Sequence, residues 1–273
     1  MLRQVVLLSL VIGFGGGLLG AWGFASIGPT RAPSASVESS SEPSNEALPI
    51  DDASFGDAVE RYLLANPDVL DRVSAALVSQ KEDARRTRDR NVIASNRDAI
   101  FSSPNDPVLG NPEGDVTLVE LFDYNCAYCR SSMPEIAALL AEDKQLRLVL
   151  KEFPILSPGS VQAARVGVLV AKQGADYWAF HEALFSGRGQ VDIEAALKAA
   201  EELGLDGSSL RTDLEASTVT EVLDKNYEVA DTLGVTGTPT FIIGDEIISG
   251  AVGYKALRAR IESMRKCGRT SCD

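Results

Sequence analysis

The chain has 273 residues, of which 39 are acidic and 26 basic, giving a formal net charge of −13. That balance argues against a nucleic-acid partner. The length allows a domain of ordinary size plus accessory segments, and the four cysteines fall into two pairs, Cys126/Cys129 and Cys267/Cys272.

The chain opens with Met1-Leu2-Arg3-Gln4 and an uncharged, apolar run from Val5 to Ile27. This run is long enough to span a bilayer, and Arg3 favours a cytoplasmic start. Gly23-Phe24-Ala25 also puts small residues where a signal peptidase cuts, so residues 1–27 read as a signal peptide or a membrane anchor. No cysteine follows for lipid attachment, and the glycines between Gly13 and Gly23 argue against a buried soluble helix. Either reading exports the rest of the chain to the periplasm, soluble or anchored, where disulfides persist. Residues 28–50 are rich in Ser, Pro and Ala with no apolar period, which predicts a flexible linker.

Residues 51–100 predict helices. Phe55, Val59, Tyr62 and Leu63 are helically spaced, Asn66-Pro67 reads as an N-cap and first-turn proline, and Val69, Leu70, Val73 and Leu77 form a stripe. Gln80 to Arg90 is almost wholly charged and reads as a solvated helical face. A segment this small has too little core to stand alone. Its stripe predicts self-association as a stalk, or folding back onto the domain that follows.

From residue 101 to 273 the pattern is α/β. Strands are expected near 107–109, at 116–122 and at 146–153, with a helix at 126–142 between the last two. Helices follow at 160–173, 176–185, 193–203, 208–214 and 217–233, then strands at 240–244 and 246–248 and a closing helix at 254–266. A strand–helix–strand opening, a helical insert at about 159–233, a hairpin and a last helix describe a thioredoxin fold with an inserted helical domain.

Cys126-Ala127-Tyr128-Cys129 directly follows the strand Val116–Phe122. A helix N-terminus offers unpaired N–H groups and partial positive charge that stabilise a thiolate, the form that attacks disulfides. Cys126 then reads as an exposed nucleophile at the helix cap and Cys129 as the partly buried thiol that resolves the intermediate. Zinc bound by both cysteine pairs is the competing reading, weakened by the long separation and the loose CxxxxC spacing of the second pair. Cys267 and Cys272 read as a structural disulfide at the end of the last helix, with a second redox pair as the alternative.

Phe122-Asp123-Tyr124-Asn125-Cys126-Ala127-Tyr128-Cys129-Arg130, with Gly234-Val235-Thr236-Gly237-Thr238-Pro239-Thr240-Phe241 later in the chain, resembles the DsbA family of bacterial thiol:disulfide interchange proteins. Trp178 to Phe185 resembles the family's inserted domain. Val59 to Leu70 resembles the leading segment of a subgroup that includes trimeric ScsC-like disulfide isomerases.

The resemblance implies a cis Thr238–Pro239 bond facing the thiols, with the Thr238 backbone pairing to substrate. It also implies a buried acid, Glu120, beneath the pair, and a family lysine, Lys151. Strand alternation puts Glu120 on the face of Leu118 and Phe122, where it could relay a proton to or from Cys129 or pair with Lys151. Asn125 is expected to cap the helix and steer substrate access, and Tyr128 to contact an unfolded chain.

Two departures matter. Strong oxidants of the family carry Pro-His between the cysteines, whereas here the pair is Ala127-Tyr128, and the lone histidine, His181, reads as a packing residue of the insert. The expected activity is therefore thiol:disulfide exchange leaning to isomerase or reductase work, without a cofactor or metal. A dithiol oxidase is the alternative, and a periplasmic holdase or assembly chaperone is an alternative of another class. Expected partners are unfolded or misfolded exported proteins with cysteines, a membrane redox partner, and further copies of the chain in a trimer built through 51–100.

Overall fold

The computed structural model of the protein describes residues 52–272. The readings of 1–27 as signal or anchor and of 28–50 as linker lie outside the described residues. Among the described residues, no helix is long and apolar enough to cross a membrane.

The chain divides after Arg61. Helix α1 (Asp52–Ala65) supplies the described part of the first unit, where Phe55 and Val59 are exposed. Helix α2 (Asp68–Ser95) then runs unbroken through the charged stretch. Asn66 does not cap it. Pro67, with φ −63° and ψ −23°, holds the N-cap position without a side-chain bond, and the Asn66 amide turns back to donate to the Tyr62 carbonyl at 2.9 Å. The same carbonyl also accepts the Asn66 backbone N–H at 2.9 Å, while Asp68 and Asp71 place negative charge at the positive end of α2.

The two halves of α2 differ. Leu70, Val73 and Leu77 stay exposed. The far end folds back: Ile93 and Asp89 are buried, and Arg88 Nη2 donates to the Leu233 carbonyl at 3.3 Å.

After α3 (Arg97–Phe101) come strands β1 (Val108–Gly110) and β2 (Val116–Phe122), helix α4 (Ala127–Glu142) and strand β3 (Leu146–Glu152). The insert is α5 (Pro158–Lys172), α6 (Tyr177–Ser186), α7 (Ile193–Glu202), α8 (Gly207–Asp213) and α9 (Ser217–Leu233). Strands β4 (Thr240–Ile243) and β5 (Glu246–Ser249) and helix α10 (Tyr254–Cys267) complete the fold. The sheet order is β1-β3-β2-β4-β5, with β2 and β3 parallel and the other pairs antiparallel.

Because side chains alternate along a strand, the sheet builds two cores. Leu118, Phe122, Leu148, Leu150 and Phe241 face one way, into a cluster with α4, the insert and α10. Val119, Leu121, Val149 and Ile242 face the other, against Ile93, Ile100, Val229 and Leu233. Each fully buried Leu or Ile contributes roughly 1.5–3 kcal/mol, which explains near-continuous apolar runs in β2 and β3 rather than alternation.

Candidate active site

β2 ends at Phe122 and the chain turns through Asp123, Tyr124 and Asn125 into α4. The Asp123 carboxylate fixes that turn. One oxygen accepts the Asn125 N–H at 2.7 Å, and the other accepts the N–H groups of Ile155 at 2.8 Å and Leu156 at 2.9 Å. A carboxylate accepting an N–H two residues on is an Asx turn, for which an Asp just after a strand and before a helix is the sequence signal.

Asn125 is not the helix cap. Cys126 is, with φ −80° and ψ 116°, and its own Sγ accepts the Cys129 N–H at 3.4 Å. The Asn125 side chain is spent elsewhere. Its oxygen accepts the Val191 N–H at 2.7 Å, and its nitrogen donates to the Val191 carbonyl at 2.8 Å and to Ser160 Oγ at 3.0 Å. It therefore ties the active-site turn to the helical insert.

Cys126, expected to be exposed, is buried at 5% relative exposure, and Cys129 is buried at 1%. The cover is the loop before β4, where the Thr238–Pro239 peptide is cis. The Cys126 thiol donates to the Thr238 carbonyl at 3.1 Å. Gly250 N–H holds the Pro239 carbonyl at 2.8 Å, and Thr240 Oγ1 donates to the Gly237 carbonyl at 2.8 Å, so the loop is fastened on both sides. Thr238 Oγ1 is buried without a partner among the described residues. Tyr128, on the first turn of α4, is 69% exposed.

These surroundings separate the two thiols. Hydrogen bonding from the Cys129 side chain, together with the N–H groups of Cys129 and Tyr128, outweighs burial and brings Cys126 down to about 6. Burial, then the bond to Cys126 and the negative charge of Glu120, push Cys129 far above the ordinary thiol range. One thiol is thus ready to ionise near neutral pH while its neighbour stays protonated.

Glu120 lies on β2 with Leu118 and Phe122 and is 3% exposed. Burial, and then the negative charge of Cys126, raise its carboxyl to about 8. The alternative, a pairing of Glu120 with Lys151, does not form. The parallel register sets Glu120 beside Leu150 and Leu121 beside Lys151, so the two charged side chains leave opposite faces of the sheet. Lys151 instead pairs with buried Asp106 and donates to the Ala99 carbonyl at 2.8 Å, fastening the segment between α3 and β1.

Sequence reasoning also missed a buried polar chain behind the turn. Tyr177 OH donates to Glu152 Oε1 at 2.7 Å, Tyr177 and Tyr124 hydroxyls lie 3.3 Å apart, and His181 Nδ1 lies 3.4 Å from Tyr124 OH. Gly167 makes room for it, since a Cβ there would stand 2.3 Å from Glu152 Oε1. Burial keeps Glu152 well above the usual carboxyl range and brings His181 down to about 3. His181 also packs edge-on to Phe122 at 4.7 Å between centroids, so it joins the insert to the sheet.

Cys267 and Cys272 form a disulfide with Cα atoms 6.0 Å apart. They lie near the β4–β5 turn, at the end of the sheet away from Cys126. The antiparallel register runs β4 from Thr240, beside Leu121, to Ile243, beside Leu118. Seven residues of strand at ~3.3 Å each separate the two cysteine pairs by roughly 20 Å, so they do not assemble into one four-thiolate zinc site.

A thioredoxin family model matches residues 102–263. Among solved structures, the chain is similar to a thioredoxin-like oxidoreductase from Silicibacter pomeroyi, with 45% identity, TM-score 0.60, and 63% of this chain and 99% of that one covered. It is similar to the thiol-disulfide exchange protein alpha-DsbA2 from Wolbachia pipientis, with 26% identity, TM-score 0.62, and 66% and 98% covered. It is also similar to Proteus mirabilis ScsC in a transitional conformation, with 26% identity, TM-score 0.58, and 77% and 95% covered. A curated relative, Na(+)/H(+) antiporter NhaA 3 of Salinispora tropica, is 31% identical over 160 residues, and the match takes in 24% of that protein's length. The chain thus spans about a quarter of the antiporter it matches. The chain belongs to the thioredoxin family, and the solved structures it is similar to include a thiol-disulfide exchange protein.

Proposed function

We propose that the protein exchanges disulfides with exported substrate proteins through Cys126 and Cys129, in the periplasm, working as an isomerase or reductase. The observation that carries this reading is the split between the two thiols. Cys126 caps the N-terminus of α4 with its Sγ accepting the Cys129 N–H, and its pKa is lowered, while Cys129 is buried beneath it and its own is raised.

In the forward step the Cys126 thiolate attacks a substrate disulfide, forming a mixed disulfide and releasing a substrate thiolate. Its charge is then gone, which removes one of the two causes that raise Glu120. Glu120 becomes the stronger acid and, as carboxylate, takes the Cys129 proton. Cys129 attacks Cys126, the substrate leaves reduced, and a Cys126–Cys129 disulfide remains. Thr238 supplies backbone for the substrate strand beside Pro239, and Tyr128 offers an exposed aromatic face. Asn125 keeps the turn seated on the insert, and Lys151 supports the sheet from its other face.

The direction is argued from acidity. With Ala127-Tyr128 and no histidine between the cysteines, Cys126 lacks the extra thiolate stabilisation of the strongest oxidants, so its disulfide is a milder oxidant than theirs. Substrates are unfolded or misfolded proteins with cysteines, and a membrane redox partner resets the pair. The domain scheme is 1–27 signal or anchor, 28–50 linker, 51–100 stalk and 101–273 catalytic. Oligomerisation through the stalk, as a trimer, is supported by the exposed Leu70, Val73 and Leu77 on α2.

Refolding of scrambled ribonuclease by the full chain, by Cys126→Ala and by a chain starting at Glu82, which lacks exposed Leu70, Val73 and Leu77 but keeps buried Ile93 and Ile100, tests this reading. We expect no activity from Cys126→Ala, and isomerisation that falls when α1 and the exposed half of α2 are removed. Full activity of Cys126→Ala would overturn the proposal, and undiminished isomerisation by the short chain would remove the stalk from it.

A further inference from the structure

The second cysteine pair has surroundings that a purely structural staple does not need. Cys267 is the last residue of α10 and is exposed, whereas Cys272 is partly buried and lines a cleft of about 510 Å³. One wall of the cleft is α2, with Arg85, Arg86 and Asp89, and the other is α10, with Arg260 and Lys266.

The acids of the cleft are already engaged. Asp245 accepts the N–H and hydroxyl of Thr270, each at 3.2 Å, and its other oxygen faces Arg90 at 3.5 Å. Glu246 takes Arg260 in two bonds of 2.8 and 2.9 Å. Asp89 sits buried between the charges of Arg85 and Arg88, and Arg86 pairs with Asp83. Arg85, Arg86, Arg260 and Lys266 line the cleft together with Cys272, whose Sγ lies 3.6 Å from the Ser263 carbonyl.

We propose that Cys267–Cys272 is a second thiol:disulfide exchange site, which accepts two electrons from a dithiol. The incoming thiolate attacks the exposed Cys267 Sγ. The S–S bond breaks, and Cys272 leaves with the electron pair as a thiolate into the cationic cleft, while a mixed disulfide forms on Cys267. The second thiol of the donor, on losing its proton, attacks its own partner sulfur, and Cys267 departs and takes up a proton. The donor ends as a disulfide and Cys267/Cys272 as a reduced pair.

The polarity of the step follows from position. Both sulfurs lie near the Ser263 carbonyl, Cys267 at 3.4 Å and Cys272 at 3.6 Å, but only Cys272 lines the cleft of Arg85, Arg86, Arg260 and Lys266, whose charge stabilises a thiolate leaving into it. A better leaving thiolate leaves faster. Transfer from Cys126/Cys129 of the same molecule is barred by the length of the sheet. A protein donor is therefore a separate molecule, including a second copy of this chain. Reduction frees residues 268–272, whose Thr270 otherwise holds Asp245.

The test uses the full chain with Cys126→Ser and Cys129→Ser, leaving one reducible pair. It is treated under native conditions with dithiothreitol or with a reduced copy carrying Cys267→Ser and Cys272→Ser, and free thiols are counted by maleimide mass-tagging. We expect two thiols to appear without unfolding, and Arg85→Glu with Lys266→Glu to slow their appearance about fivefold or more. Lys198→Glu, a distant surface cation, should not slow it. Reduction by the copy assigns the donor to protein dithiols, and reduction by dithiothreitol alone assigns it to small ones. Resistance to both until the protein unfolds would overturn the proposal, as would a rate indifferent to the charge reversals.

Discussion

The two cysteine pairs occupy opposite ends of the same sheet and opposite ends of their helices. Cys126 caps the start of α4, where N–H groups point at its sulfur, and Cys267 closes the end of α10, where carbonyls point at it. The first pair is buried under a loop and over an acid. The second lies open beside cations. Exposure therefore does not mark the more acidic thiol: the direction of the helix and the groups sealed in with the sulfur do.

The sharpest way to break that comparison is Cys126→Ser, which should abolish insulin reduction while leaving the Cys267–Cys272 disulfide intact. Comparable loss from Cys267→Ser with Cys272→Ser would mean that the pairs work as one. A smaller effect is expected from Glu120→Gln. Losing a positioned proton acceptor should slow release of the mixed disulfide by about 10²-fold, with a flatter pH profile. An unchanged resolution rate would leave Glu120 no part in the chemistry.

The same two groups give stability a signed pH dependence. Glu120 is raised to about 8 in the fold from an ordinary 4.5, so the folded state holds a proton that the unfolded state releases. Its contribution to the reduced protein's stability therefore declines as pH rises from about 4.5 to 8. Glu120→Gln should remove that decline, as read from urea midpoints. Cys126, lowered from 9.0 to about 6, acts in the opposite sense, adding stability between about 6 and 9 that is lost as pH falls through 6. Smallest of all, replacing both Cys267 and Cys272 by Ser should leave insulin reduction essentially unchanged.

Much of this was legible in the sequence because it is local. The strand feeding Cys126, the helices of the insert and the hairpin at Asp245 follow from periodicity and turn residues over short windows. The burial of Cys126 was not, because its cover, Thr238, lies 112 residues away. Nor was the separation of Glu120 from Lys151. Alternation assigns faces within one strand, and only the register of β2 against β3 relates the two. Asn125 looked like a cap from its place before a helix, but its partners Val191 and Ser160 belong to the insert. The Glu152–Tyr177–Tyr124 chain joins three elements that no single window contains.

The central claim is that the fold, without a histidine between the cysteines, acidifies Cys126 alone. Titrating the reduced protein by thiolate absorbance, with Cys129→Ala and Glu120→Gln as companions, tests it most directly. The account predicts one thiol ionising near 6 in the wild type, an upward move in Cys129→Ala as that hydrogen bond is lost, and a second wild-type thiol that stays protonated throughout. A Cys126 that ionises at the ordinary ~8.5 of a free cysteine would contradict it.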